Sequence, residues 1–361
     1  MKKKKLIIAL SIIPAFLFVK LASLNSRFVE DYYSEGLYPL ISKASRYTFG
    51  WIPFSIGDVF YTAVGIIAIR WFINNRKRIF KDTKNWLIDI LTVTSIGYIA
   101  FHFFWGFNYY RSPVHEKLDI GYKYSTEDLI TTTTYLIEKT NEIHSKLSAN
   151  DSVKITIPYS KKELISKSNN GFENLKTIHP SFDFQPQSSK RSLYSLPLTY
   201  MGFSGYLNPF TNEAQIDGLI PLYQYPFTVC HEQAHQLGYA AENEANFIGY
   251  LGAILNEDDY IKYSGYASAL RYCLSEVSRR DKEAYQTLYN KINKGILKNY
   301  QESYEFWTQY ENPLEPFFKT FYNGFLKANS QDKGIESYSY VVALIVNFYQ
   351  NTELQETLKK D

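Results

Sequence analysis

Between residues 228 and 249 the chain reads TVCHEQAHQLGYAAENEANFIG, with His231 and His235 four positions apart. On a helix that separation is about one turn, so both imidazoles leave the same face and can share one tetrahedral ion. Glu232 follows the first histidine directly. It stands beside such an ion without being forced to bind it, the place from which a carboxylate takes a proton from activated water. Together these residue types spell metal-assisted hydrolysis with zinc as the expected ion. The chain has only six histidines in 361 residues. Chance yields this pattern in such a composition with odds on the order of half a percent.

A catalytic zinc site needs a third protein donor. Pro226 suits the first turn of the motif helix and Gly238 suits its end. Glu242 comes seven residues after His235, where a new helix can begin and point its first side chains back at the previous one. Asn246 is four residues further on the same face, and Ala245, Gly249 and Ala253 line that side closely enough for the two helices to approach. Glu244 competes as donor but lies about 200° around the helix from Glu242. The expected set is therefore His231, His235 and Glu242 as metal ligands, Glu232 as general base, and Glu244 as the alternative ligand. A dipole-favoured acidic helix start would account for two acids, but not for their position behind this motif.

HEQAHQLGYAAE resembles the zincin metallopeptidase motif, in which a glycine follows HExxH by three residues and a glutamate by seven. Metzincins carry a histidine where this chain has Ala241, and the chain departs from them there. ENEAN is similar to the ExxAD or ExxAN helix of glutamate-ligand zincins. That resemblance implies Glu242 as the ligand and Asn246 as the residue that orients a ligand. GFSGYLNPFTNEAQID, EANFIGYL and YNGFLKANSQDKGIESYSYVV, with three N-terminal apolar segments, resemble the bacterial family known as domain of unknown function 3810. The likeness spans nearly the whole chain and implies a membrane-anchored, zincin-like protein without naming a substrate.

Three segments approach the roughly 20 apolar residues that cross a bilayer: about 6–24, 54–73 and 86–107. Tryptophans 51, 71, 86 and 105 fall near the ends of the last two, where an aromatic belt belongs. Asp58, Arg70 and Asp89 sit toward segment ends, from which side chains can snorkel. Lys2 to Lys5 precede the first segment, and Arg76, Lys77, Arg78, Lys81 and Lys84 crowd the loop between the others. By the positive-inside rule both places face the cytoplasm. Everything after Phe107 is then expected outside the bacterial inner (plasma) membrane, in the periplasm, whether or not the first segment is a cleaved signal.

The expected organisation is a membrane region at 1–107, an irregular linker at 108–124 and an extracytoplasmic zincin-like domain at 125–361. Ser125 and Asp128 form a capping-box pattern ahead of a helix, and VKITIPYS alternates like a strand. Residues 193–220 read as a strand pair about a Gly/Pro-rich turn. Helical periodicity follows at about 226–237, 242–255, 258–279, 281–295, 299–310, 314–328 and 337–351, with Gly324 and Gly334 as punctuation. The fold class is α+β, mostly α, with a small sheet beside the motif helix.

A net charge of +3 is too small to suggest nucleic acid as the partner, and no long basic stripe appears in the C-terminal two-thirds. Two cysteines, Cys230 and Cys273, exclude a disulfide scaffold and a cysteine zinc ribbon. The partners expected are the bilayer and a peptide or protein of the cell envelope, cut by a zinc metallopeptidase. Two alternatives are a membrane-anchored scaffold that keeps the fold without cutting, and a hydrolase of a non-protein amide such as a peptidoglycan link. A tyrosine or arginine is expected to support the transition state, but 32 tyrosines leave that residue unassigned.

Overall fold

The computed structural model describes residues 2–329, 338–351 and 354. Gly334, and the part of the family-like stretch around it, lie outside the described residues. The chain is mostly helical with one three-stranded sheet. Three helices are long and apolar enough to cross a membrane: α1 (Lys3–Ala22), α3 (Ile56–Asn75) and α4 (Thr83–Phe104). Their side chains are largely exposed, the reverse of a soluble core helix and what lipid contact requires. Between α1 and α3 the chain makes a π-helical stretch, Glu30–Leu37, and then α2 (Tyr38–Phe49). At the end away from the sheet, Asp89 of α4 pairs with Lys5 at 2.6 Å and Arg78 at 2.9 Å.

The remainder surrounds a single large apolar core. It contains α5 (Thr126–Leu147), α6 (Lys161–Asn174), β1 (Ser189–Arg191), α7 (Ser195–Met201), β2 (Gly205–Asn208), β3 (Glu213–Ile216), α8 (Tyr225–Gln236) and α9 (Glu242–Ile254). After these come α10 (Asp259–Arg280), α11 (Lys282–Tyr289), α12 (Lys294–Gln309), α13 (Glu315–Ala328) and α14 (Tyr338–Gln350). The sheet order is β1-β3-β2, with β1 parallel and β2 antiparallel to β3. β2 is thus an edge strand, and β3, buried at all four positions, is the centre. Both α5 and α6 open on capping boxes, Ser125 with Asp128 and Ser160 with Glu163.

Three expectations change. The segment 108–124 is not a loose linker: Asn108, Tyr109, Tyr110 and Val114 are buried, in a 3-10 turn (Gly106–Tyr110) and a short helix (Val114–Lys117). VKITIPYS buries Ile155 and Ile157 alternately, as a strand would, but has no neighbouring strand. The Asn299 amide takes that place, its Oδ1 accepting from Ile155 N at 3.0 Å and its Nδ2 donating to Ile155 O at 3.2 Å. Asp58 does not snorkel. It is fully buried, and its carboxylate accepts from Leu193 N at 2.6 Å, Ser192 Oγ at 3.0 Å and the Tyr206 hydroxyl. Beside it Glu213 of β3 accepts from Ile56 N at 3.1 Å and from Lys190 Nζ at 2.6 Å. A carboxylate from the sheet thus serves the open amides at the start of a membrane-length helix, and this fastens the span to the sheet.

Candidate metal centre

The motif helix α8 lies inside the protein. Glu232, Gln233, His235 and Gln236 are all buried, so an exposed polar helix does not explain the sequence. Its polar flank is spent on the sheet layer. Gln236 Nε2 donates to Asn212 O at 2.6 Å and Ser188 O at 3.1 Å, and Gln233 Nε2 donates to Asn169 Oδ1 at 2.5 Å and Ser189 Oγ at 3.0 Å.

The helix ends in a Schellman turn, with Gly238 N bonded to His235 O at 2.9 Å and Tyr239 N to Ala234 O at 3.3 Å. Gly238 has φ +86°, and a Cβ there would lie 2.9 Å from both Asn108 Oδ1 and Tyr38 Cε1, so this position needs glycine twice over. Side chains from the membrane-proximal part close the remaining carbonyls. Trp105 Nε1 donates to His235 O at 3.2 Å, the Tyr38 hydroxyl to Gln236 O at 2.8 Å, and Arg111 Nη1 to Leu237 O at 3.3 Å. Arg111 also pairs with Glu30 at 2.7 Å and lies 3.9 Å over the Tyr239 ring. Burial works against the charge on Glu30, yet Arg111 and Lys117 outweigh it and hold the carboxyl below its usual range. Residues 30–111 therefore finish the helix that carries the motif.

α9 approaches α8 through Gly249, where a Cβ would meet His231 N at 2.8 Å and Cα at 2.9 Å. That close contact sets Glu242, at the start of α9, against the histidines. Its Oε2 is 3.3 Å from His231 Nε2, its Oε1 is 3.8 Å from His235 Nε2, and the three donors fall within 4.8 Å of one another. Among the described residues this is the one grouping of three or more such donors. An ion with tetrahedral bonds of about 2.0–2.2 Å keeps its donors about 3.3–3.6 Å apart, and the two separations of Glu242 from the imidazoles, 3.3 and 3.8 Å, lie near that range. His235 Nδ1 lies 2.7 Å from Tyr239 O, which places the proton on that nitrogen and leaves Nε2 a lone pair toward the cluster. Two buried polar atoms, Glu232 Oε2 and His231 Nδ1, have no hydrogen-bond partner among the described residues. The residues present thus fit a divalent cation of zinc type.

The electrostatics follow from burial and from this pairing. Burial pushes the Glu232 carboxyl up to about 8, with His231 opposing and Glu242 adding to the rise. Burial likewise lowers His235 to about 4. Burial would raise Glu242, but its bond to His231 and the charges of both histidines bring it down to about 2. Burial would lower His231, yet Glu242 and Glu232 raise it, with Asn246 adding a smaller push.

Of the residues singled out by sequence, His231, His235 and Glu242 come together and Glu232 lies beside them. Asn246 sits next to His231 and accepts a hydrogen bond from the Tyr272 hydroxyl at 3.1 Å. Glu244 faces elsewhere: its Oε1 accepts from Val114 N at 2.7 Å, closing the start of the short helix 114–117. Cys230 and Cys273 are free, buried thiols. Tyr322 on α13 carries no local signal, yet its hydroxyl donates to Glu242 Oε1 at 2.5 Å across 80 positions of sequence. Gly205 of the edge strand β2 presses on the base, since a Cβ there would lie 2.6 Å from Glu232 Oε1.

Neither a curated protein nor a solved structure matches the chain. Residues 33–346 match the family described as Protein of unknown function (DUF3810). That span takes in the motif helix, the donors, the edge strand and two of the three membrane-length helices, and the chain belongs to this family.

Proposed function

We propose that this protein is a membrane-anchored, zincin-like metallopeptidase that hydrolyses peptide bonds on the extracytoplasmic side of the membrane. The observation that carries the reading is the convergence of His231 Nε2, His235 Nε2 and a Glu242 oxygen within 4.8 Å, next to a buried Glu232 whose Oε2 has no partner among the described residues. His231, His235 and Glu242 would hold zinc. When bound, zinc supplies Lewis acidity that acidifies water and polarises a carbonyl.

The chain's own groups do the rest. Glu232, as the carboxylate, takes the proton from the attacking water and returns it to the leaving amine, a task suited to a group whose burial raises its proton affinity. Tyr239 O fixes the His235 tautomer, and Tyr322 holds Glu242 in place. The outer side of β2 offers backbone groups to an extended peptide, which would lie alongside Glu232 at Gly205. The lysine- and arginine-bearing ends of the spans lie away from the sheet, which supports a cytoplasmic location for those ends and an outer one for the site.

A scaffold without turnover would have no use for an unpaired buried acid at the Glu232 position, whose desolvation costs stability. Neither it nor a non-protein amide substrate has an observation in its favour comparable to the edge strand beside the base. The test uses the full chain in detergent or nanodiscs on unfolded envelope proteins. Turnover is expected, abolished by chelator and restored by zinc, with Glu232→Gln keeping zinc and losing turnover about 10²–10⁴-fold. Full turnover in that variant refutes the reading.

A further inference from the structure

Helix α13 is apolar on two sides. Its inner face carries Tyr322, Phe325 and Leu326 against the metal cluster and the spans. Its outer side carries Leu314, Phe317 and Phe321, which are 63, 66 and 71% exposed and stand at helical spacing. A helix between a protein core and water keeps its outer face polar. The neighbouring α7 shows the same departure, with Leu193, Leu196 and Tyr200 46–59% exposed. The two helices are in contact, and Asn312 Nδ2, just ahead of α13, donates to Tyr200 O at 2.7 Å.

Both helices are tied to the membrane-length spans at defined heights. Leu193 N and the Tyr194 hydroxyl bond Asp58, and the Tyr194 hydroxyl also meets Thr62 Oγ1 at 2.5 Å. Thr62 is six residues into α3, about 9 Å along its axis. At the other end, Phe325 of α13 packs edge-on against Phe101, one turn before the end of α4, with ring centroids 6.1 Å apart. Trp51, at the mouth of α3, is itself 78% exposed, as an interfacial tryptophan would be. α7 and α13 therefore run at the level where the spans emerge. On α3 itself Val59 and Val64 are also exposed.

We propose that α7 and α13 form an interfacial platform whose exposed apolar side chains are immersed in the outer edge of the lipid bilayer. The occupant of this surface is lipid. Because another face of α13, about 100° around the helix from Phe321, carries Tyr322 on Glu242, the metal cluster sits close to the membrane surface. If the peptidase reading also holds, its substrates are chains presented at that surface. The lipid contact itself does not depend on that reading.

The experiment uses the full chain in phosphatidylcholine–phosphatidylglycerol nanodiscs. Leu196→Cys, Phe317→Cys and Phe321→Cys are labelled singly with the fluorophore NBD, the native cysteines being buried. Gln286→Cys on exposed α11 gives the aqueous reference. At the three platform positions NBD should be quenched by spin-labelled lipid and reduced by aqueous dithionite about ten-fold more slowly than at position 286. Reduction as fast as the reference, without lipid quenching, overturns the proposal. Protection from dithionite without lipid quenching overturns it too, since a protein surface would then be the cover. No readout uses zinc or turnover, so the result is separate from the fate of the enzymatic reading.

Discussion

Asp58 and Glu213, where the second span meets the sheet, and Glu232, on the motif helix, are carboxylates withdrawn from water in neighbouring parts of one layer. At the junction every carboxylate oxygen is bonded: Asp58 by Tyr206, Ser192 and Leu193 N, Glu213 by Lys190, Thr211 and the first amides of α3. At the cluster, Glu232 Oε2 and the facing histidine's Nδ1 are left without partners. A buried acid with all its bonds made is architecture, because the same low dielectric that penalises it when alone strengthens it when paired. A buried acid with an oxygen left unbonded costs stability and is kept where chemistry uses it. The difference separates two sets of acids that composition alone treats as equal.

Exchanging the roles of the two sets gives the largest effects. His235→Ala should take zinc in the purified full chain from one equivalent to near none, by elemental analysis, while leaving the protein folded, since the hydrogen bond it also loses, to Tyr239 O, lies in a turn held by several other bonds. Glu213→Ala should do the opposite. It strands Lys190 as an unpaired buried cation, which costs about 3–5 kcal/mol of stability, while the fraction that stays folded keeps its zinc. Zinc loss in Glu213→Ala at full stability, or equal zinc in wild type and His235→Ala, would erase the distinction.

Much of the cluster was legible because its signals are local. HExxH, the Gly238 turn and Glu242 lie within twelve residues, and helical geometry alone brings them together. Gly249 announced the close helix contact for the same reason. The three helices long and apolar enough to cross a membrane were equally plain, since their pattern is composition over twenty residues. What stayed hidden is held by distant pairings. Tyr322 reaches Glu242 from another helix, and nothing marks it among the tyrosines. Trp105, Tyr38 and Arg111 cap the motif helix from the membrane region, so a boundary drawn at residue 107 cuts through the site's own support. α6 was missed although Ser160 and Glu163 spell its capping box, because its interior, SNNG, is weakly helical.

Tyr322 tests whether the bonded side of the cluster behaves like the junction. Its hydroxyl is to Glu242 what Lys190 is to Glu213, a partner that fixes the carboxylate. Tyr322→Phe keeps the ring packed on Phe325 and Phe203 and removes only the bond. Zinc affinity should fall about 10–100-fold, as for other groups that orient a metal ligand, measured by competition with a chromophoric chelator. Unchanged affinity would show that Glu242 is placed by the backbone of α9 alone.

The smallest effect concerns Glu232 in chelator-treated protein. Burial raises its carboxyl from the usual 4.5 to about 8. An acid raised on folding contributes stability in full below its unfolded value and loses it as the pH rises through the folded one. Glutamine cannot ionise and takes no part in that loss. Metal-free Glu232→Gln should therefore match wild type near about pH 5 and pull ahead toward about pH 9, by on the order of 1–3 kcal/mol. Denaturant melts across that window measure the difference. A flat difference would mean that Glu232 ionises as freely in the folded protein as in the unfolded chain. It would then join Asp58 and Glu213 among the satisfied acids, and the unpaired oxygen would lose its claim to chemistry.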